Sequence, residues 1–282
     1  MRPTRRREAC SRVAGFWLGP IASGRGYRLH GFDEIGSTST EAARAAESGD
    51  IGEVWFASLK QNAGRGRRGR AWETPSGNLA ASLMIVPDCD PAIAATLGFV
   101  AGVALNRALA ATLPAGLVRH GIDGANRVAL KWPNDVLADG AKLAGILLEA
   151  QKRPDGRHAV VIGFGINIVS APSGLPYPAT SLGDLGADVP AETIFAALAE
   201  EWVVAYELWD HGSNVADILR LWRVSAAGIG AEVAVARDGD VVRGIFESID
   251  DAGRLIVRAN DNSRIAITAG DVHFGVTATA RA

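Results

Sequence analysis

Cysteine is scarce in this 282-residue sequence, which contains only Cys10 and Cys89, far apart and without a CxxC pair. The scarcity excludes a disulfide framework and a cysteine-based zinc site, and it fits a reducing compartment, so we expect a cytoplasmic protein. Spacing typical of histidine metal ligands, such as HExxH, is also missing, although the chain has five histidines. We therefore expect no metal site formed by protein side chains alone.

Long apolar runs are missing as well. None reaches the length of about 18 residues that a membrane-spanning helix requires, so we expect no membrane contact. Met1–Arg12 is rich in arginine, and Val13–Ala22 is the nearest approach to a signal peptide, but two glycines and a proline interrupt it. We interpret residues 1–25 as a basic tail that leads into the fold.

The sequence also has no excess of positive charge. The 29 lysines and arginines are balanced by 31 aspartates and glutamates, which gives a formal net charge of -2 at pH 7. General nucleic-acid binding depends on surplus cations that neutralise phosphates, so we expect no nucleic-acid partner. With 48% hydrophobic and 21% charged residues, the chain has the composition of a globular protein that buries a large core.

Positive charge is concentrated in one segment, Gln61–Trp72, whose sequence QNAGRGRRGRAW contains four arginines and three glycines. Arginine offers planar donor forks to phosphate or carboxylate, and glycine lets backbone N–H groups approach those oxygens. The GxGxxG pattern inside it does not indicate a dinucleotide fold, because Pro75 and Gly77 disfavour the helix that must follow. It does not indicate a kinase either, since no HRD or DFG sequence follows. A disordered RNA-binding segment and a solvated hairpin remain as alternatives for the loop alone.

Periodicity predicts an α+β fold, with a mixed β-sheet and helices followed by a small β-barrel. Helices are expected after the hydroxyl-rich Ser37–Thr40, which can cap free N–H groups, and where apolar residues recur at helical spacing. The predicted helices are 41–47, 93–113, 194–209 and 215–222, and the predicted sheet strands are 27–35, 54–59, 79–86, 128–132, 143–150 and 159–168. Short alternating strands begin near residue 230. We place a large domain at residues 26–228 and the barrel at 229–282.

Three further motifs follow the arginine-rich loop: KWPND at Lys131–Asp135, KLAGILLE at Lys142–Glu149 and GFGIN at Gly163–Asn167. With these four motifs in this order, the chain resembles a biotin protein ligase, and the motifs together are highly specific. The resemblance extends over residues 16–274. It implies a catalytic domain of the class II aminoacyl-tRNA synthetase-like biotin/lipoate ligase fold, with a C-terminal SH3-like domain. It is closest to the short form of the family, without an N-terminal helix-turn-helix.

The resemblance also implies a two-step reaction. Biotin and ATP form biotinyl-5'-AMP with release of pyrophosphate, and a lysine of a biotin carboxyl carrier domain then receives the biotin. Acetyl-CoA carboxylase supplies the default carrier, and the enzyme is expected to be a monomer or a homodimer. Mg²⁺ is expected to be held mainly by the phosphate oxygens of ATP, which fits a sequence without a cluster of metal ligands.

Site residues are transferred from the family position by position. Those implied for catalysis are Lys142, Arg65 and Arg67. Those implied for biotin binding are Ser37, Thr38, Ser39, Gln61, Gly64, Arg65, Gly66, Arg67, Lys142, Gly145, Leu147 and Gly163. Those implied for ATP binding are Arg67, Arg70, Asn134, Lys142 and Asn167. An alternative for Lys142 is a structural lysine that only pairs with a neighbouring acid.

The chain departs from the family at one point of the implied biotin pocket. Ser39 stands where the family usually has asparagine, after Ser37 and Thr38. The third position therefore lacks an amide, and the sequence does not say how the ureido ring of biotin is fully hydrogen-bonded.

Two other functions remain as alternatives. A lipoate or octanoate ligase shares the catalytic fold, and lipoate ligases share the acyl-adenylate chemistry, but the arginine-rich loop and the terminal β-domain favour biotin. A nucleic-acid-binding regulator is suggested by the same loop and by the basic residues 2–12. The acidic charge balance and the lack of a helix-turn-helix pattern disfavour it.

Overall fold

The computed structural model describes residues 14–118, 126–237 and 240–274. A seven-stranded mixed sheet forms the centre of the molecule, in the order β1-β2-β3-β7-β6-β5-β4. Only β1 and β2 pair in parallel, and all other neighbours in this sheet are antiparallel. The strands are β1 Arg28–Phe32, β2 Val54–Ser58, β3 Leu79–Ile85, β4 Val128–Lys131, β5 Asp135–Ala138, β6 Ala141–Lys152 and β7 His158–Ile166. The predicted mixed sheet is thereby confirmed.

Helices cover both faces of this sheet. They are α1 Pro20–Gly24, α2 Thr38–Glu47, α3 Pro91–Ala94, α4 Leu97–Thr112, α5 Ala115–Val118, α6 Ala191–Trp209 and α7 Val215–Val224. On one face α2 packs over a small apolar cluster, while α4 and α6 pack together over the large core on the other face. Strand β3, between β2 and β7, is buried along its whole length. Its side chains alternate between the faces, and this alternation directs Ser82 to the α2 side.

The predicted helix 93–113 is divided into α3 and α4. The hydroxyl of Thr96, at the break, donates to the carbonyl of Ile93 at 2.6 Å and accepts from the indole N–H of Trp209 at 2.8 Å. The stretch Pro91–Thr112 is long and apolar enough to cross a membrane by composition alone. More than half of its apolar window is buried in the protein, which is typical of a core helix.

The prediction of a tail reaching residue 25 is wrong for the residues after Gly15, while residues 1–13 lie outside the described part of the chain. Phe16 is fully buried and meets the ring of Phe195 edge-on, with 5.3 Å between ring centroids. Pro20 begins α1 instead of interrupting the fold, because a proline is well tolerated in the first turn of a helix. The carboxylate of Glu200 accepts the otherwise free N–H groups of Ile21 at 3.0 Å and Ala22 at 2.8 Å.

A five-stranded antiparallel sheet follows α7, in the order β11-β10-β9-β8-β12. Its strands are β8 Glu232–Arg237, β9 Asp240–Ile249, β10 Leu255–Arg258, β11 Arg264–Ile267 and β12 Asp271–Phe274. The short strands predicted to begin near residue 230 are thereby confirmed, and the arrangement is consistent with an SH3-like domain. The indole N–H of Trp132 donates to the carbonyl of Gly253 at 3.0 Å and ties this domain to the large sheet.

One sheet strand, β5, was not predicted. It forms a hairpin with β4 through the Trp132–Pro133–Asn134 turn, and Lys131 and Asp135 face each other in the register of the hairpin. The KWPND motif is therefore the turn of a hairpin that presents its polar side chains at one edge of the sheet.

Replacing Glu200 with alanine is expected to loosen the N-terminal segment. Two backbone donors lose their acceptor, and the loss of such a cap costs about 0.5–2 kcal/mol. Denaturant unfolding followed by the tryptophan signal should show a lower midpoint for Glu200→Ala than for Glu201→Ala, a neighbouring control on α6. Equal midpoints for the two variants would contradict this account of how the segment is anchored.

Candidate active site

A cavity of about 420 Å³ opens on the α2 side of the large sheet. The start of α2, the arginine-rich loop, strands β6 and β7, the β4–β5 turn, residues 175–178 and residues 270–273 of the C-terminal domain contribute its walls. The cavity therefore lies where the two predicted domains meet. Its two ends differ in chemistry, one neutral and hydrogen-bonding and the other rich in cations.

The neutral end is formed by Thr38, Ser39, Gln61 and Ser82. The side-chain oxygen of Gln61 accepts from the backbone N–H of Thr38 at 2.8 Å and from its hydroxyl at 3.1 Å. The hydroxyl of Ser82 lies 2.8 Å from that of Thr38 and 3.0 Å from that of Ser39. This end of the cavity offers neutral donors and acceptors in a buried setting.

The cationic end is centred on Lys142 of β6. Its ammonium lies 2.7 Å from a carboxylate oxygen of Asp135 and 5.5 Å from the ring centroids of both Trp72 and Tyr177. Lys142 is thus paired with a neighbouring acid and also lines the cavity. A second lysine, Lys131, lines the same end, with its ammonium 5.6 Å from the centroid of the Phe274 ring. Burial lowers the pKa of Lys131, and the nearby Lys142 cation lowers it further, whereas Asp135 raises it.

The arginine-rich loop folds into a short hairpin that closes the cavity. Backbone N–H groups of Gly66 and Trp72 donate to the carbonyls of Arg70 and Gly64, at 2.8 and 2.9 Å. Gly64 must be glycine here, because a Cβ atom at this position would lie 2.2 Å from the carbonyl oxygen of Trp72. The hairpin directs Arg67 and Arg70 toward the C-terminal domain.

Acidic and amide groups hold all four arginines of the loop. Arg67 donates to the side-chain oxygen of Asn134 at 2.9 Å. Arg68 and Arg70 contact the same carboxylate oxygen of Asp271 at 3.1 and 3.3 Å, while Arg67 is 3.7 Å from the other oxygen. Arg65 lies 3.4 Å from Glu149. The loop is therefore fastened to β6, to the β4–β5 turn and to the C-terminal domain.

Trp72 lines the cavity but was not among the predicted site residues. Its indole ring lies against the bare backbone of Gly165, where a Cβ atom would come within 2.2 Å of the ring, and close to Gly145. The alternating glycines of the GFGIN motif were a signal for such a close approach. Other cavity residues that were not predicted include Ser82, Tyr177 and Asp271. Ser82 could have been identified from the sequence, because it is the lone polar residue of an apolar strand. No sequence pattern points to Tyr177 or Asp271.

Most of the predicted site residues line the cavity: Thr38, Ser39, Gln61, Arg65, Gly66, Arg67, Arg70, Asn134, Lys142, Gly145, Leu147 and Gly163. Ser37, Gly64 and Asn167 do not, and their ligand contacts stay predictions. Ser37 accepts from the N–H of Thr40 as the N-cap of α2. The buried amide of Asn167 donates to the carbonyls of Thr180 at 3.1 Å and Lys142 at 3.5 Å. It therefore supports the strand that carries Lys142.

Metal-binding groups are not concentrated anywhere in the described residues. Within residues 14–118, 126–237 and 240–274, no group of three or more histidine, cysteine or acidic side chains could hold a metal ion. The cavity instead offers cations, amides and hydroxyls, which suit a ligand with a neutral polar group at one end and negative charge at the other.

Two family models match the chain. The model of the biotin/lipoate A/B protein ligase family matches residues 45–167, and that of the biotin protein ligase C-terminal domain matches residues 228–275. A biotin–[acetyl-CoA-carboxylase] ligase of Paracoccus denitrificans is 39% identical over 85% of this chain and 97% of its own length. A ligase of the same name from Mycobacterium tuberculosis is 35% identical over 89% of this chain and 91% of its own length.

Solved structures agree on the fold. The biotin protein ligase of Aquifex aeolicus in complex with biotin and ATP superposes with a TM-score of 0.70 at 21% identity, covering 88% of this chain and 98% of that one. The Leishmania major enzyme in complex with biotinyl-5-AMP gives a TM-score of 0.55 at 25% identity, covering 86% and 99%. From the two domain matches and the full-length similarity to the curated ligases, the chain belongs to the biotin protein ligase family.

Proposed function

We propose that this protein is an ATP-dependent biotin–protein ligase. It forms biotinyl-5'-AMP from biotin and ATP and then transfers the biotin to a lysine of a carboxyl carrier domain, by default that of acetyl-CoA carboxylase, in the cytoplasm. The observation that carries the proposal is one cavity that joins a neutral hydrogen-bonding end to a cationic end, at Lys142 and the loop arginines. Biotin has the matching polarity, with a neutral ureido ring at one end and a carboxylate at the other.

The stretch of the cavity between its two ends is suited to the apolar arm of biotin. Trp72 lies against Gly145 and Gly165, and Leu147 lines the same stretch between the two ends. Apolar walls hold an alkyl arm by excluding water from it, while the few polar groups at each end fix its direction. The ureido ring is then placed at Thr38 and Gln61, and the carboxylate is placed at Lys142.

Adenylate formation brings two anions together, and this requires cations on both sides. A carboxylate oxygen of biotin attacks the α-phosphorus of ATP, and the bond from that phosphorus to the bridging oxygen breaks as pyrophosphate leaves. Lys142 compensates charge on both reacting groups, and Arg67 and Arg70 compensate charge on the phosphates. The side-chain oxygen of Asn134 and the carboxylate of Asp135 would be oxygen ligands of the type that Mg²⁺ prefers, and the ion would supply further charge compensation on the phosphate oxygens.

In the transfer step, a neutral lysine amine of the carrier attacks the carbonyl carbon of the mixed anhydride. The bond between that carbon and the phosphate oxygen breaks, AMP leaves, and the amine loses a proton to solvent. Until the carrier arrives, the mixed anhydride must be shielded from water. The hairpin of the arginine-rich loop, fastened to Asp271 and Asn134, is positioned to act as that lid.

Lipoate fits the neutral end less well than biotin. Its dithiolane ring has no N–H or C=O group, so it would leave buried hydroxyl and amide groups at Thr38, Ser39 and Gln61 without a ligand partner. A nucleic-acid surface is also less well supported, because the formal net charge is -2 and three of the four loop arginines, Arg65, Arg67 and Arg70, line the cavity.

The activity itself is tested by incubating the purified protein with Mg²⁺·ATP and biotin, lipoate or octanoate. We expect biotin to support exchange of labelled pyrophosphate into ATP, and we expect subsequent transfer of biotin to a purified carrier domain. Exchange with lipoate but not with biotin would overturn the proposal.

Lys142→Ala and Arg67→Ala are each expected to slow biotin-dependent pyrophosphate exchange by about 10² or more, because each removes a cation from the reacting anions. Lys152→Ala is the matched control, since this exposed lysine lies at the far end of the same strand, outside the cavity. Circular dichroism should show that all three variants are folded. Wild-type exchange rates in Lys142→Ala would remove the lysine from the mechanism.

Asp271→Asn is expected to loosen the lid. Exposed ion pairs contribute about 0–1 kcal/mol each, so losing the shared carboxylate should raise the open population of the loop by about 3- to 10-fold. Trypsin, which cleaves after the loop arginines, should cut Asp271→Asn faster than wild type, with little change in the thermal midpoint. Asp261→Asn, an exposed position in the same domain, is the control. Identical cleavage rates in the two variants would show that Asp271 does not hold the loop.

A further inference from the structure

Behind Ser39 lies a chain of buried side chains that the family resemblance does not account for. Ser82 of β3 is fully buried and is a polar residue in the strand LAASLMI. Its hydroxyl contacts the hydroxyls of both Thr38 and Ser39, and Thr38 continues to Gln61. Four side chains thus form one continuous hydrogen-bonded path from Gln61 to Ser39 at the neutral end of the cavity.

The direction of every hydrogen bond along this path can be determined. The backbone N–H of Thr38 can only donate, so the Gln61 atom that it meets at 2.8 Å is the carbonyl oxygen. That oxygen can only accept, so the Thr38 hydroxyl donates its single proton to it, at 3.1 Å. The amide nitrogen of Gln61 donates to the hydroxyl of Thr74 at 3.2 Å, which agrees with this orientation.

The directions of the Ser82 and Ser39 hydroxyl protons follow from the direction of the Thr38 proton. Because the Thr38 proton is committed to Gln61, the 2.8 Å contact between Thr38 and Ser82 requires Ser82 to donate. Because the Ser82 proton is then committed to Thr38, the 3.0 Å contact between Ser82 and Ser39 requires Ser39 to donate. The Ser39 hydroxyl therefore has no proton left for a ligand, and only its lone pairs can act on one.

Ser39 stands at the cavity wall, next to Gly163. A Cβ atom at Gly163 would lie 3.0 Å from the Ser39 hydroxyl oxygen, and both residues line the cavity. An isolated serine can donate or accept, so it would not by itself select between an N–H and a C=O group of a ligand. In this chain the path through Ser82 removes that ambiguity.

We propose that Ser82 is a positioning residue that fixes Ser39 as a hydrogen-bond acceptor for one ring N–H of the ureido group of biotin. The proposal rests on the proposed function and deepens it by naming the group that Ser39 recognises. It also explains how a serine serves where the family usually has an amide. The amide carbonyl of asparagine is an acceptor by nature, whereas the serine becomes one because its proton is committed to Ser82.

The first test is Ser82→Ala. Without Ser82 the Ser39 proton is no longer directed inward, and the Thr38 hydroxyl loses a donor. We expect the KM for biotin to rise by about 10-fold, while kcat and the KM for ATP change by no more than about twofold, since a net hydrogen bond is worth close to one factor of ten. Ser58→Ala is the matched control, because Ser58 is a fully buried serine on the adjacent strand β2 and lies outside the cavity.

The second test measures coupling with the ligand. Two carbamate analogues of biotin, in which one or the other ring N–H is replaced by oxygen, remove the donors one at a time. In the wild type, we expect one of the two analogues to bind at least about 10-fold more weakly than biotin. Its ring oxygen can only accept a hydrogen bond, and it faces the Ser39 oxygen, which is also an acceptor. In Ser82→Ala the penalty for that analogue should shrink to about threefold or less, because Ser39 is then free to donate.

Ser82→Cys provides a second variant of nearly the same size, whose thiol is a weak donor, and it should show the same reduced penalty. Equal analogue penalties in wild type and in the Ser82 variants would overturn the proposal, as would an increase in the KM for ATP matching that for biotin. These outcomes differ from a failure of the proposed function, in which wild-type protein would show no biotin-dependent pyrophosphate exchange.

Discussion

The ion pair between Lys142 and Asp135, 2.7 Å long, is the interaction on which the site depends. A lysine held inside a partly closed cavity is costly unless an anion compensates it, and here the β4–β5 hairpin brings that anion to the edge of β6. The same arrangement places Lys131 beside the pair, where both Asp135 and Asp271 act on its charge, and the cavity adds Arg65, Arg67 and Arg70 to the two lysines. The cavity thus keeps net positive character at the point where a carboxylate and a phosphate must meet.

The C-terminal domain holds the arginine-rich loop in place. Asp271 gathers three arginines, and Trp132, in the turn that leads to Asp135, is hydrogen-bonded to Gly253 of the same domain. The anchoring of the domain and the anchoring of the loop are therefore parts of one contact surface. A phosphate ligand carries more charge than the Asp271 carboxylate and can compete for the same guanidinium groups, which relates loop closure to the arrival of ATP.

Selectivity for the ligand depends on the neutral end of the cavity, opposite the cationic end at Lys142. The hydrogen bonds from Gln61 through Thr38 and Ser82 to Ser39 run in one direction, so the orientation of the Ser39 hydroxyl is set by Gln61 through three successive hydrogen bonds. Between the ends, the glycines at 145 and 165 let the Trp72 ring approach the sheet closely. The site therefore recognises its ligand through the positions of neutral donors and acceptors. Its cations promote the reaction by compensating negative charge.

The family, the mixed character of the large sheet, the presence of a small C-terminal β-domain and most of the cavity residues were predictable from the sequence alone. These follow from local periodicity and from motifs whose residues are close in the chain. The long-range contacts could be found only in the folded chain: Asp271 with the loop arginines, Glu200 with α1, Trp209 with Thr96, and Ser82 with Ser39. It also directed Asn167 to backbone carbonyls. The reason is physical, because a hydrogen bond or an ion pair depends on ångström distances between segments far apart in the chain, and local sequence patterns do not specify those distances.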